Sequence, residues 1–171
     1  MRRARRWWRC WADGLVRLRT EGSAKAILPG GAAGREGVFL NTSGGLTSGD
    51  ALRFGLMMEG TTVATAQTAE RAYNGPARMD VRLTVGRNGW LDWLPRETIL
   101  FDRAALDRCT VIDFAPGAGC LALEAVVLGR KDKLLVNLAA MVAHGRLARS
   151  VKPTADVGGS CGAYRSVGQP Q

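Results

Sequence analysis

From residue 77 the chain alternates strictly, with Ala77, Met79, Val81, Leu83 and Val85 separated by Arg78, Asp80, Arg82, Thr84 and Gly86. Period-two alternation over this length marks a half-buried strand. Residues 86–89 (Gly-Arg-Asn-Gly) form a turn, and 90–94 read as a strand that Pro95 ends or confines to an edge. Further strands are expected over 51–58, 61–68, 98–101, 109–114 and 120–128, and two short ones within 15–28 before the Pro29-Gly30-Gly31 break. Many short strands between Gly, Pro and Asn turns predict an all-β domain, each sheet with one face buried and the other wet or packed on a second sheet. The pattern changes after Arg130. Residues 134–147 read as an amphipathic helix with Leu134, Leu135, Leu138, Met141 and Val142 on one face. Residues 151–171 are rich in Gly and Ser and are expected to be disordered. No internal repeat is visible.

Composition sets the bounds. With 171 residues there is enough chain for one domain with a real core. There is no apolar run long enough for a membrane helix, and no apolar segment follows the Arg-rich start as a secretory signal requires. Cys10, Cys109, Cys120 and Cys161 lie apart, without a CxxC pair, and read as reduced cytosolic thiols.

The net charge of +9 is confined to the ends. Residues 1–20 carry seven arginines against one Asp, 21–130 carry 11 basic against 12 acidic residues, and 131–171 carry six basic against two acidic. The body therefore lacks the basic surface of a nucleic-acid-binding domain. The Arg/Trp run of residues 1–13 is the exception, a composition that coats an anionic membrane or stacks on nucleic acid, or else a poorly ordered leader. Three segments result: a basic leader (1–13), a β domain (14–130) and an atypical tail (131–171).

The candidate chemistry centres on residues 38–50, an apolar strand running into a loop with Gly44, Gly45 and Gly49 and ending on Asp50. Glycine permits φ > 0 and close approach to the backbone. The loop lacks the Gly-Lys-Ser/Thr ending of a P-loop and the spacing of GxGxxG. Asp50 is open to three roles: a ligand for a hard cation or metal, a general base, or a cap on its own turn. Ser43, Thr47 and Ser48 have no base nearby and read as turn hydroxyls. Glu70, Arg71 and Tyr73 line either a site or a solvated face. Trp90 and Trp93 are expected in the core, with a partner surface as the alternative. Asp102 and Asp107 are spaced for an acid/base pair that nothing locks in place. His144 is the only histidine, which excludes a His-based triad or a multi-His metal site within this chain.

Four ordered segments resemble the UreD (UreH) family of urease accessory proteins. They are Asn41 to Asp50 (Asn-x-x-Gly-Gly-x-x-x-Gly-Asp), Thr65-Ala66-Gln67-Thr68-Ala69-Glu70-Arg71-Ala72-Tyr73, Trp93-Leu94-Pro95 with Thr98-Ile99-Leu100-Phe101, and Leu128-Gly129-Arg130. The resemblance covers residues 15–130. It implies a helical arrangement of β-strands in stacked sheets with few helices, the C-terminal part of the family fold being missing. It also implies a non-catalytic, cytoplasmic protein that binds apo-urease and, with other accessory proteins including a GTPase, supports nickel insertion. No tightly bound cofactor, nucleic acid or membrane is implied; nickel is an ion in transit.

On that basis Asp50 is the candidate nickel-path carboxylate. Asn41, Gly44, Gly45, Gly49, Arg71, Tyr73, Pro95, Gly129 and Arg130 are structural or partner-binding motif positions. Scattered carboxylates and carbonyls suit an ion held weakly and passed on. Three departures stand out: Arg96 replaces a usual Gln, Asn74 a common Arg, and Lys131-Asp132-Lys133 the expected Gly-Glu. The rival reading is a small basic protein that binds nucleic acid or an anionic membrane through its charged ends, with a steep salt dependence.

Overall fold

The structure is a computed structural model that describes residues 3–4, 8–11, 14–18, 20–29, 35–128, 146–151 and 165–166, with side chains at 18, 20–29 and 36–128. Five strands lead in: β1 (Arg3–Ala4), β2 (Trp8–Trp11), β3 (Gly14–Leu18), β4 (Ala24–Ile27) and β5 (Arg35–Asn41). The chain then winds through three turns of a β-solenoid. The first holds β6 (Ala51–Met58), β7 (Thr61–Ala66) and β8 (Glu70–Ala72). The second holds β9 (Gly75–Val85), β10 (Trp90–Leu94) and β11 (Thr98–Leu100). The third holds β12 (Ala104–Phe114), β13 (Gly119–Ala122) and β14 (Val126–Leu128). The last described strands are β15 (Arg146–Val151) and β16 (Arg165–Ser166). Among the described residues there is no helix, and hence none long and apolar enough to cross a membrane.

Each turn contributes one strand to each of three sheets, and equivalent strands pair in parallel: β6–β9–β12, β7–β10–β13 and β8–β11–β14. Ala51 pairs with Arg78 and Arg78 with Asp107, so the turns are offset by 27 and 29 residues. The molecule thus repeats where the sequence does not. A solenoid turn requires only that inward positions be apolar and corners tight, and different residues meet both conditions.

The register stacks like on like. Leu52, Phe54, Leu56 and Met58 lie beside Met79, Val81, Leu83 and Val85, all buried. On β12 the next rungs are Arg108, Thr110, Ile112 and Phe114, so two of the four inward rows turn polar in the third turn. Phe39 of β5 packs on Phe54 at 4.9 Å and edge-on against Trp93 at 5.8 Å, joining the two larger sheets.

Outward positions of the first large sheet are charged and cross-paired. Arg53 and Arg78 both reach Asp80, at 3.2 and 3.0 Å, and Arg82 lies 4.0 Å from Asp113. A one-face-in, one-face-out parallel sheet explains why β9 alternates so cleanly.

Three expectations change. Residues 120–128 are two strands, because the chain turns a corner between Ala122 and Val126. The strand expected at 109–114 begins five residues earlier, at Ala104. The helix expected over 134–147 lies outside the described residues up to 145; Arg146 and Leu147 open β15, which pairs antiparallel with β12. Trp93 is buried as expected, whereas Trp90 is half-exposed, donating Nε1–H to Asp92 at 2.9 Å.

Candidate functional site

The glycine loop is a solenoid corner. It connects β5 to β6 and occupies the place that Tyr73-Asn74 and Phe101-Asp102-Arg103 occupy one and two turns later. Leu46 bridges Ala72 in parallel, and its amide donates to the Arg71 carbonyl at 2.7 Å. The Tyr73 amide donates to the Leu46 carbonyl at 2.8 Å, and the Phe101 amide to the Ala72 carbonyl at 2.9 Å. The rings follow the backbone: Tyr73 stacks on Phe101 with centroids 4.9 Å apart and planes 18° from parallel.

All three loop glycines have positive φ, 78° at Gly44, 151° at Gly45 and 84° at Gly49. Only Gly45 is also sterically confined. A Cβ there would stand 2.5 Å from Tyr73 Cε2 and 2.8 Å from the Arg71 carbonyl oxygen. Thus Gly45, Arg71 and Tyr73, separated in sequence, meet at one corner. Arg71 points outward and is exposed.

Asp50 closes the loop. Its Oδ2 accepts from the Thr47 amide at 2.9 Å and lies 3.2 Å from the Thr47 hydroxyl, while its own amide donates to the Thr47 carbonyl at 3.0 Å. The capping role weighed for Asp50 is therefore present. The hydroxyls at Ser43 and Thr47 are turn hydroxyls, but the expectation that no base stands near them fails at Thr47, whose hydroxyl faces the Asp50 carboxylate.

Asp50 also borders a cavity of about 220 Å³ with Ser23, Ser43, Gly45, Thr47 and Leu52. Its lining holds one carboxylate, at Asp50, and three hydroxyl-bearing residues, Ser23, Ser43 and Thr47. Among the described residues no three His, Cys, Asp or Glu side chains cluster as a metal site. Such a surface suits transient contact with a divalent ion better than retention.

On the inner side, Asn41 joins the loop to Glu70. Its Nδ2 donates to Glu70 Oε1 at 2.9 Å, and its Oδ1 accepts from the Ser43 amide at 3.1 Å and the Ser43 hydroxyl at 2.6 Å. Glu70 therefore does not belong to a solvated face: β8 is a strand, and the alternation that exposes Arg71 turns Glu70 and Ala72 inward. Burial pushes the Glu70 carboxyl up, against the opposing Asn41 bond and Arg108 charge.

Glu70 shares a small, partly open void of about 20 Å³ with Asn41, Thr68, Pro95, Arg96 and Arg108. Pro95 sits in the corner between β10 and β11. Gly129 and Arg130 lie outside the described residues.

Behind this void is a polar network that the sequence did not announce. Glu124 Oε1 accepts from Trp93 Nε1 at 2.9 Å, Arg108 Nη2 at 2.9 Å and the Thr110 hydroxyl at 2.8 Å. Arg108 Nη1 also donates to the Thr98 hydroxyl, leaving Nε buried without a hydrogen-bond partner. The signal was available: extending the β12 alternation back to Ala104 places Arg108 on the inward face.

With this geometry in view, the comparisons are specific. The family model described as UreD urease accessory protein matches residues 9–148, beyond both ends of the resembling region. Urease accessory protein UreD of Cereibacter sphaeroides (strain ATCC 17023) is 60% identical over 126 residues, 68% of this chain and 46% of that protein. That of Paracoccus denitrificans is 56% identical over 123 residues, 68% of this chain and 44% of that protein. That of Mesorhizobium japonicum is 45% identical over 128 residues, 70% of this chain and 46% of that protein. The chain belongs to the UreD family of urease accessory proteins. It spans about half the length of the curated relatives it matches.

Proposed function

We propose that this chain acts in urease maturation by binding apo-urease and easing nickel toward its metal centre, without catalysis of its own. The other partners on this reading are further accessory proteins, one of them a GTPase. The observation that carries the reading is the Asp50 corner. A family motif folds into a glycine-built loop that brings a carboxylate and hydroxyl-bearing residues to one cavity.

Oxygen donors at a single carboxylate hold Ni²⁺ loosely, which a conduit needs and a storage site does not. Asp50 thereby combines two roles that were posed as alternatives, because Oδ2 caps the turn while the carboxylate charge remains at the cavity edge. Nickel is cargo here, and a partner supplies the stronger nitrogen or sulfur ligands.

The test is reconstitution of apo-urease with the remaining accessory proteins and nickel, with and without this chain. Association with apo-urease and a rise in enzyme-bound nickel support the reading. No association, with unchanged nickel, refutes it.

A further inference from the structure

The glycine loop is fastened from inside the solenoid as well as by its own turn. Asn41 stands at the junction, its Nδ2 on Glu70 and its Oδ1 on the Ser43 amide and hydroxyl. The Ser43 hydroxyl also lies 2.8 Å from the Gly45 carbonyl oxygen. A continuous chain of polar contacts thus runs from β8, through the end of β5, into the loop.

Direction matters in this chain. A carboxylate only accepts hydrogen bonds, and a side-chain amide has one donating and one accepting end. Turned over, the Asn41 amide would set its oxygen against Glu70 and its NH₂ against the Ser43 N–H. Both contacts would then be repulsive. Glu70 therefore reinforces the one orientation in which Asn41 accepts from Ser43. Gly45, two residues on, is the glycine seated beneath the Tyr73 ring and admits little displacement.

We propose that Glu70 is a positioning residue for the glycine loop, acting through Asn41 to fix the path of residues 43–45 and so the approach to Asp50. The inference rests on the Asp50 corner being the functional site for its significance. Its test reads the loop alone, so its failure is distinct from a failure in urease maturation.

The measurement is amide hydrogen exchange at Ser43 in the full 171-residue chain. The Gly89 amide, which closes a remote corner onto the Gly86 carbonyl at 3.0 Å, serves as the internal control. Glu70→Met removes the acceptor and keeps the bulk. Ser43 exchange should rise about tenfold while Gly89 stays unchanged, as for a local opening. Glu70→Gln, which retains an acceptor oxygen, should restore Ser43 protection.

A donor–acceptor swap decides the matter if Glu70→Met does not fold. Asn41→Asp keeps the acceptor for Ser43 but faces Glu70 with a second carboxylate, and should lose protection. Adding Glu70→Gln supplies a donor and should return it. Unchanged Ser43 exchange in Glu70→Met or Asn41→Asp, or a swap that fails to restore protection, overturns the proposal.

Discussion

Arg108 and Glu124 meet at 2.9 Å inside the solenoid, their side chains 5% and 4% exposed. Breaking such a pair by removing one partner costs about 3–5 kcal/mol, because it strands the other charge in a poor dielectric. Arg108→Met should therefore lower the urea midpoint sharply. Adding Glu124→Gln should recover part of the loss. Gln keeps an acceptor for Trp93 Nε1 and the Thr110 hydroxyl and carries no charge. A double variant as unstable as Arg108→Met alone would show that the charge is not the cause.

Gly44 and Gly45 are neighbours with different constraints. An added Cβ at Gly44 meets nothing within 4 Å, so Gly44→Ala should cost about 1 kcal/mol from its left-handed φ of 78°. At Gly45 the Cβ runs into Tyr73 and the Arg71 carbonyl, so Gly45→Ala should cost about 3 kcal/mol or more. Denaturant melts of the two variants measure the difference. Equal losses would mean that the Tyr73 ring does not rest on this glycine.

The Glu70 carboxyl titrates above its ordinary value of 4.5 because burial disfavours the charged form. A raised folded-state value means a contribution to stability that is full below the unfolded pKa and is lost as pH rises through the folded one. Glu70→Gln has no such loss. The stability of Glu70→Gln relative to the unsubstituted protein should therefore climb as pH rises from below 4.5, then level off above the folded value. Stability measured by urea melts across that window gives the sign. A relative stability that falls over that window instead would mean that ionised Glu70 is the favoured form.

Cys120 is buried, and its thiol is pushed up to about 11, chiefly by desolvation. Thiolate is the reactive species. At pH 8 the peptide bearing Cys120 should stay unalkylated by iodoacetamide in the native protein and be labelled fully after unfolding, as read by mass spectrometry. Rapid native labelling would mean that the third turn opens readily.

What was legible in the sequence was whatever the chain encodes locally. The bounds of β6 and β10 could be read directly, since Gly49 and Gly60 bracket β6 and Gly89 and Pro95 flank β10. The Asn41–Asp50 loop was legible because glycine spacing is a backbone instruction. The short strand β8 was not, for three residues give no period. Nor was the Arg108–Glu124 network: a strand begun at Cys109 leaves Arg108 outside it, and nothing local pairs Arg108 with Glu124. The solenoid repeat was hidden for the reason that made it possible: Leu52, Met79 and Arg108 occupy one row without resembling one another.

Whether the carboxylate at the glycine corner assists nickel on its way into urease is read most directly in cells. The chain and its Asp50→Asn variant are each supplied to a urease-producing strain whose own UreD has been deleted, and nickel per purified urease is measured. Asn retains an acceptor for the Thr47 amide, so the loop stays closed while the charge is lost. The unsubstituted chain should restore nickel-loaded urease, and Asp50→Asn, at equal abundance, about a tenth as much or less. Equal nickel with both chains would contradict that role.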